Sequence, residues 1–584
     1  MPWADSAMKK ILLSGFFPDY DVGLGMATIR SYLLKDPIIA DRTQVLMKGF
    51  DLKVSPEEIL RYYEASAPDL LGFSCYAWNI EKTLDLCRRL RQMGCDIPIV
   101  LGGPEVSYTA AEFLRENPGL SAIVCGEGEE TFRELVHRWL AGRDFGGVQG
   151  VVARDGERII ENPARPFLPD INVIPSPYTD GTVDLATLGR HGLGCYESYR
   201  GCVYSCSFCV WGKVQNVRYY DFGRVEAELI ALLNSPSKRI FLVDAVANLN
   251  KERFKKVLRV ILDNNKSDVL VDFEMVAELL DDEVIDLLST LPGGQIGVGL
   301  QTTDPAALKN SRRFSDLKRF RRNIDKLRGK NSKVEIFIDL IFGIPGDTYT
   351  TFQKAVDYTM TFVPDKIQTN PLMVLPGTHF HREAQAFGIV YDKKAPHIAT
   401  QSGTFTAEDF KKSEDCARAL EFYNHVFPIR MALSILQREG RDVHAEFGVF
   451  LDLLGKKNPS VDEATMGQVL EALLEFADRS LGSCKDSHAL LPLFRDVSRY
   501  FVLFPAMALL RNRVNTGESR PADRSPFGVL KLNYPIAEFG RVRLLDPALD
   551  WRSLPRKETM YCYDEAVLDE SFLMNAYKVP RPVD

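Results

Sequence analysis

The 584-residue chain holds no stretch approaching 18 uninterrupted apolar residues, so no transmembrane helix is expected. After Lys9-Lys10 the apolar run is only Ile11 to Leu13 plus Phe16-Phe17. That is too short for a signal-peptide core, and a cytoplasmic location is the expectation. The formal net charge is -7, and no Lys/Arg-rich run stands out on this reading. Phosphate binding normally needs a basic stripe, so no nucleic-acid partner is expected. Histidine is scarce, with 8 in all and none before His137. The 11 cysteines are odd in number and scattered except for one tight trio. They do not read as a disulfide framework, and they suit a reducing compartment. Internal repeats and low-complexity tracts are missing too. What remains is ordinary: 45% hydrophobic and 26% charged residues, enough apolar material for several cores.

The first stretch alternates strands and helices. Residues 10–17, 69–75, 97–103 and 121–130 read as short buried strands, each followed by an amphipathic helix. This pattern points to a parallel, doubly wound (Rossmann-like) α/β domain. Ligands of such sheets lie beyond the carboxyl ends of the strands. Those ends carry Asp21-Val22-Gly23-Leu24-Gly25, Ser74-Cys75-Tyr76, Gly102-Gly103-Pro104 and Gly126-Glu127-Gly128-Glu129. A small hairpin with an Asp155-Gly156 turn and a Pro-bearing linker (168–178) follow. From about 190 a second βα series begins, with strand candidates at 239–245, 269–276, 293–301, 334–343 and 366–375. Five or six such units suit a partial βα (TIM-like) barrel. Beyond about 405 the pattern turns helical. The domain expectation is 1–145, a hairpin and linker over 146–185, the barrel over 186–395, and a mostly helical domain over 396–584.

The most informative segment runs from Glu197 to Lys213 and holds Cys202, Cys206 and Cys209 in a C-x3-C-x2-C spacing. Three thiolates within eight residues can wrap one metal centre from a single loop. A four-iron cubane held by three cysteines leaves one iron open to an external ligand. Structural zinc asks for four protein ligands. The nearest further candidates are Cys195 and His191. The other cysteines read as buried thiols.

This segment resembles the radical S-adenosylmethionine (radical SAM) superfamily. The resemblance lies in the trio, in Phe208 before its last cysteine, and in Arg200-Gly201 upstream. It continues through Phe241–Asp244, Phe273-Glu274, Gly297-Val-Gly-Leu-Gln301, Asp339–Asp347 with its Gly343-Ile-Pro-Gly turn, and Pro376-Gly377-Thr378. About 200 residues, roughly 190–390, follow in register. The resemblance implies a [4Fe–4S] cluster on the three cysteines. It also implies S-adenosylmethionine chelating the open iron and reductive cleavage to a 5′-deoxyadenosyl radical. An electron donor such as flavodoxin or ferredoxin is implied as partner. Phe208, Asp244, Glu274, Gln301 and Gly343 are the expected contacts to S-adenosylmethionine or substrate.

The first 145 residues resemble the cobalamin-binding (B12-binding) domain that precedes many of these enzymes. Gly23 and Gly25, the strand ending at Ser74, Gly102-Gly103-Pro104 and Gly126-Glu127-Gly128 carry that likeness, and they are the expected cobalamin contacts. With no histidine before His137, cobalamin without a lower-face His ligand is expected, shielded by Tyr76 and Trp78. The expected activity is a methyltransferase moving a methyl group from methylcobalamin to an unactivated carbon of a small molecule. The alternatives are a radical cyclase, ring contraction or oxidation on the same cofactors, or a cobalamin sensor or carrier. No catalytic residue is assigned.

Overall fold

A computed structural model describes residues 8–17, 22–188, 193–211, 216–330, 332–516, 527–534, 536–537, 554–564 and 571–573. Asp21, His191 and Lys213 lie outside them.

The first sheet contains β1 (Lys9–Phe16), β2 (Thr43–Phe50), β3 (Leu70–Ser74), β4 (Ile99–Gly102), β5 (Ala122–Val124), β6 (Val151–Asp155) and β7 (Arg158–Glu161). Its order is β2-β1-β3-β4-β5-β6-β7. The first five strands are parallel. Successive residues feed two separate cores, as a sheet with both faces covered requires. Leu12, Leu71, Leu101 and Ile123 enter one; Ile11, Leu13, Leu70, Val100 and Val124 enter the other.

Two features depart from the sequence reading. β2 was not anticipated: it is an edge strand with alternating exposure, so its apolar signal is diluted. The hairpin is present, but it does not stand between domains. β6 pairs antiparallel with β5, and β7 pairs with β6. The first sheet therefore runs past residue 145, to Glu161.

The second sheet holds β8 (Gly194–Tyr196), then, beyond the short β9 (Tyr199–Arg200) and β10 (Arg218–Tyr219), β11 (Arg239–Leu242), β12 (Leu270–Met275), β13 (Gly294–Gln301), β14 (Val334–Phe342) and β15 (Lys366–Pro371). β9 and β10 pair only with each other. The other six form a parallel sheet in the order β15-β14-β13-β12-β11-β8. β14 shows why: Val334, Ile336, Ile338, Leu340 and Phe342 are buried under the outer helices. The alternate Glu335, Phe337, Asp339 and Ile341 face the lumen, partly exposed.

The region after residue 396 is helical, with helices Ala407–His425, Phe427–Arg438, Val443–Lys457, Met466–Phe476 and Ser487–Thr516. It also carries a hairpin of Phe527–Leu532 with Thr559–Asp564. It shares one continuous core with the barrel. Helix Ala407–His425, opened by a Thr406–Asp409 capping box, closes the barrel's open edge. The Asn424 side-chain amide pairs with the backbone of Ile367 on β15, donating to its O at 3.0 Å and accepting from its N at 2.9 Å. The edge-facing backbone of Ile367 is thereby satisfied.

A third departure concerns charge. Residues 309–330 contain ten Lys or Arg and two Asp, so the expectation of no basic run fails there. Phe314, Leu317, Phe320, Ile324 and Leu327 break the run in sequence and hide it. Among the described residues no helix is long and apolar enough to cross a membrane.

Candidate active site

The cysteine loop begins where β9 ends. Between Arg200 and Cys202 stands Gly201, with φ 101°, a conformation that favours glycine. The loop is pinned on its far side by backbone. Ser207 N donates to Ser311 O (2.8 Å) and Phe380 N donates to Ser207 O (3.0 Å); Ser207 Oγ donates to Asn310 O (2.8 Å). Cys202 is buried, whereas Cys206 and Cys209 are partly exposed, and none forms a disulfide. Among the described residues no three His, Cys, Asp or Glu side chains converge on a single-ion site. In a cubane each thiolate takes its own iron, whereas zinc gathers four ligands around one ion. Three thiols on one short loop, with Cys195 held back in β8, are the donor set of the former. Phe208 packs half-buried on the barrel core.

Asp244, expected at the cofactor, is committed elsewhere. It accepts from Ser198 N (2.7 Å), Ser198 Oγ (2.5 Å) and Tyr199 N (3.4 Å). Burial pushes its carboxyl up to about 7. It fixes the strand that leads into the cysteine loop and acts as a positioning residue.

The lumen carries the other polar groups. Glu274 projects over Gly297, where a Cβ would sit 2.5 Å from its Oε2. Gln301 sits at φ 67°, where the β13–β14 register shifts. Its amide folds back over Gly299, in the space a side chain there would need. The two glycines of this strand thus make room for two lumen side chains. Burial, then the charge of Asp339, pushes Glu274 upward; burial likewise raises Asp339, opposed by Lys366 and Arg313. Arg313 was missed by the sequence reading. Its guanidinium donates to Gly299 O and lies 4.0 Å from Cys206 Sγ, and its buried Nε has no partner. It is the cation placed between the cysteine loop and the lumen. Gly343 (φ 87°) is covered on its Cβ side by the Phe410 ring of helix Ala407–His425, so that side of it is closed to a cofactor.

The carboxyl end of the first sheet faces this region. At Gly25 and Gly126 a Cβ would meet nothing within 4 Å, which leaves open space beyond β1 and β5. Gly103 (φ 113°) brings its backbone against Cys75 O, and Pro104 opens helix Pro104–Ser107. Gly23 is packed under Phe17, and Gly128 under Ile29. The Ser74 carbonyl accepts from Asn79 (3.0 Å). Tyr76 and Trp78 stack with centroids 4.3 Å apart and planes 9° apart. Trp78 is 51% exposed, so it presents a flat aromatic surface. Burial raises the Tyr76 phenol, with Cys195, Cys75 and Glu197 adding to the rise. His137 is held by Asp36 at 2.7 Å, at the opposite end of helix Gly128–Leu140 from the strand exits. These surfaces fit a flat, largely apolar ring over open strand ends.

The Gly126–Glu129 segment departs most from expectation. Glu127 takes two hydrogen bonds from Arg218 (2.8 and 2.9 Å), one from Arg200 (3.4 Å) and one from Leu168 N (2.9 Å). Glu129 accepts from Arg200 at 2.7 Å, and Glu197 accepts from Arg200 Nε at 2.9 Å. The side chains are nearly dry: Glu129 is 4% and Arg200 13% exposed. Glu127 is therefore an ion-pair partner of the second domain. Further contacts between the domains include His397 Nε2 with Glu105 Oε1 at 2.7 Å, and Tyr108 laid over Gly377.

Two family models match the chain, "B12 binding domain" over residues 38–136 and "Radical SAM superfamily" over 196–359. A cobalamin-dependent radical SAM methyltransferase, TokK, from Streptomyces tokunonensis is 28% identical over 50% of this chain and 44% of its own length. The 2-(S-pantetheinyl)-carbapenam-3-carboxylate methyltransferase of Streptantibioticus cattleyicolor is 28% identical over 56% of this chain and 50% of its own. The chain thus spans about half the length of these curated relatives. Among solved structures, the cobalamin-dependent S-adenosylmethionine radical enzyme OxsB superposes with a TM-score of 0.57 at 16% identity. That match covers 88% of this chain and 82% of the other. The chain thus matches a B12-binding domain followed by a radical SAM domain, in the order the motifs require, and is similar to cobalamin-dependent radical SAM methyltransferases.

Proposed function

We propose that the chain is a cobalamin-dependent radical methyltransferase acting on a small molecule. The observation that carries this reading is the shared wall between the two domains. Arg200, two residues before Cys202, is ion-paired to the residues that leave β5 of the B12-binding domain. The strand ends of the first sheet are thereby held against the entry to the cysteine loop.

Cys202, Cys206 and Cys209 would hold a [4Fe–4S] cluster. Glu274, Gln301, Arg313 and Asp339 would orient S-adenosylmethionine. Trp78, Tyr76, Gly102, Gly103, Pro104 and Gly126 would hold cobalamin. When bound, these groups supply homolytic cleavage of S-adenosylmethionine and a transferable methyl group on cobalt. The chain's own part is placement. Arg313 supplies a fixed positive charge for a carboxylate beside Cys206. Glu274, its carboxyl pushed up by burial and by the charge of Asp339, offers a polar contact in the lumen. Helix Ala407–His425 seals the barrel edge against water. Turnover would draw one electron from a donor such as flavodoxin or ferredoxin, in the cytoplasm.

The test is product analysis of anaerobic, cluster-reconstituted protein with S-adenosylmethionine, reductant and cobalamin. The C202A/C206A/C209A triple variant serves as control. Formation of both 5′-deoxyadenosine and S-adenosylhomocysteine, each dependent on the cysteines, is the expected result. 5′-Deoxyadenosine alone turns the reading to a cyclase or oxidase. Full activity in the triple variant sinks it.

A further inference from the structure

The strongest charge anomaly of the molecule borders the cysteine loop. The chain carries a formal net charge of -7, yet residues 309–330 hold ten basic and two acidic side chains. Some of these bases are spent within the fold. Lys326 pairs with Asp282, Lys330 with Asp286 and Arg328 with Asp365. Arg321 lies over the rings of Tyr358 and Phe362, and Arg313 turns inward to Gly299.

Five are not spent. Lys309, Arg312, Lys318, Arg319 and Arg322 are exposed. Arg312 meets the His379 ring (3.1 Å), and Arg322 meets the Asn323 amide (3.3 Å) and acts at longer range on Asp282, which Lys326 already pairs. The nearby acids are engaged or few. Asp304 and Asp316 cap helices through backbone N–H groups, Glu278 accepts from Ser315, and Asp325 stands exposed on the same helix.

Position gives this charge its meaning. Helix Leu317–Arg328 buries Phe320, Asn323, Ile324 and Leu327, which leaves Lys318, Arg319 and Arg322 together on the outer face. In a βα unit the helix runs back against its strand, so its first turn lies at the strands' carboxyl rim. The same segment holds the cysteine loop, through Ser311 to Ser207 and through Arg313 to Cys206. Between the loop contact and the helix stands Phe314, 81% exposed. An exposed apolar residue in a segment of exposed cations outside any ion pair, next to Arg313 with its contact to Cys206, has the make-up of a transient protein interface.

We propose that this rim, Lys309, Arg312, Phe314, Lys318, Arg319 and Arg322, docks an acidic one-electron carrier protein and delivers its electron to the cluster beside Cys206. The proposal rests on the function proposed above. The step is a single transfer: the carrier's reduced flavin or iron–sulfur centre is oxidised by one electron, and the cluster held by the three cysteines is reduced by it. Charge complementarity commits the surface to an acidic protein. It predicts fast, salt-sensitive association of the kind that electrostatic steering gives.

The experiment compares the full-length, cluster-reconstituted protein with its K318E/R319E/R322E variant. None of the three residues touches the lumen or the loop. Binding of an acidic flavodoxin is measured first by calorimetry at low salt, without turnover. 5′-Deoxyadenosine formation is then measured with enzymatically reduced flavodoxin and, separately, with dithionite. The expected result is flavodoxin affinity at least tenfold weaker in the variant, a matching fall in the flavodoxin-driven rate, and an unchanged dithionite-driven rate. Equal flavodoxin affinity in both proteins overturns the docking proposal. So does a variant that keeps flavodoxin but loses affinity for a single-stranded oligoribonucleotide, which would make the rim a nucleic-acid surface. Absence of 5′-deoxyadenosine with either reductant counts against the radical reading alone, and the binding measurement still decides the docking.

Discussion

Replacing Arg200 by methionine isolates the interdomain ion-pair network. Methionine keeps much of the side-chain volume and removes the fork that reaches Glu129 (2.7 Å), Glu197 (2.9 Å) and Glu127 (3.4 Å). Glu127 would retain Arg218 at 2.8 Å; Glu129 and Glu197 would be left buried without a cation. Breaking a buried pair from one side costs about 3–5 kcal/mol, because the stranded charge must be desolvated alone or protonated. Burial already raises Glu197, and Glu129, held low chiefly by Arg200 against its burial, would rise once that cation is gone, so protonation of these carboxyls softens the loss. At about 2–4 °C per kcal/mol the melting temperature should fall on the order of 10 °C. Because Gly201 alone separates Arg200 from Cys202, iron retained per chain after anaerobic purification should fall with it. Arg200→Lys keeps the charge and loses the fork, and should lie between. Scanning fluorimetry and an iron assay suffice. An Arg200→Met protein that melts with the wild type and retains its full iron content would show that the network does not hold the two domains or the cysteine loop.

The His397–Glu105 contact gives a pH dependence. Glu105 outweighs burial and holds His397 above its ordinary value. Its stabilisation is therefore fully present below the unfolded histidine's pKa, near 6.5, and is lost as pH rises through the higher folded value. The melting difference between wild type and His397→Phe should shrink over that rise, and a difference independent of pH from 6 to 9 would contradict it. Gly297→Ala puts a methyl 2.5 Å from Glu274 Oε2 and should weaken S-adenosylmethionine binding by about tenfold, or ~1.4 kcal/mol, with little change in melting. Equilibrium dialysis reads the affinity directly. Gly103→Ala forces a side chain into φ 113° and onto Cys75 O, at a cost of about 1–3 kcal/mol in the first domain. Reduced cobalamin uptake and a lower melting temperature are the expected readouts.

Much of the architecture was legible because it repeats. The parallel strands announce themselves as short apolar runs, and the trio of cysteines marks its loop by spacing alone. What escaped has no local period. The pairing of Glu127 with Arg218 joins residues 91 apart, and nothing near Glu127 distinguishes an ion-pair carboxylate from one beside a cofactor. Asp244 stands at a strand exit like any ligand-contacting residue, but its acceptors are filled by Ser198 and Tyr199. β2 was lost in its own alternation, and the hairpin β6–β7 was visible as a hairpin without its partner β5. The basic rim was interleaved with the apolar residues that seat its helix. Arg313 became visible only when its distance to Cys206 was known.

The ion-pair wall also sets the terms on which the two halves could be recombined. A graft that replaced residues 1–145 with the corresponding part of another protein would cut the first sheet before β6. Unless the incoming segment brought its own pair of carboxylates after the fifth strand, it would deliver two dry guanidinium groups, Arg200 and Arg218, with Glu197 as the sole counter-charge. A unit exchanged along this wall would have to run to Glu161 and carry Glu127 and Glu129 with it; a donor domain lacking those acids would leave Arg200 and Arg218 without them.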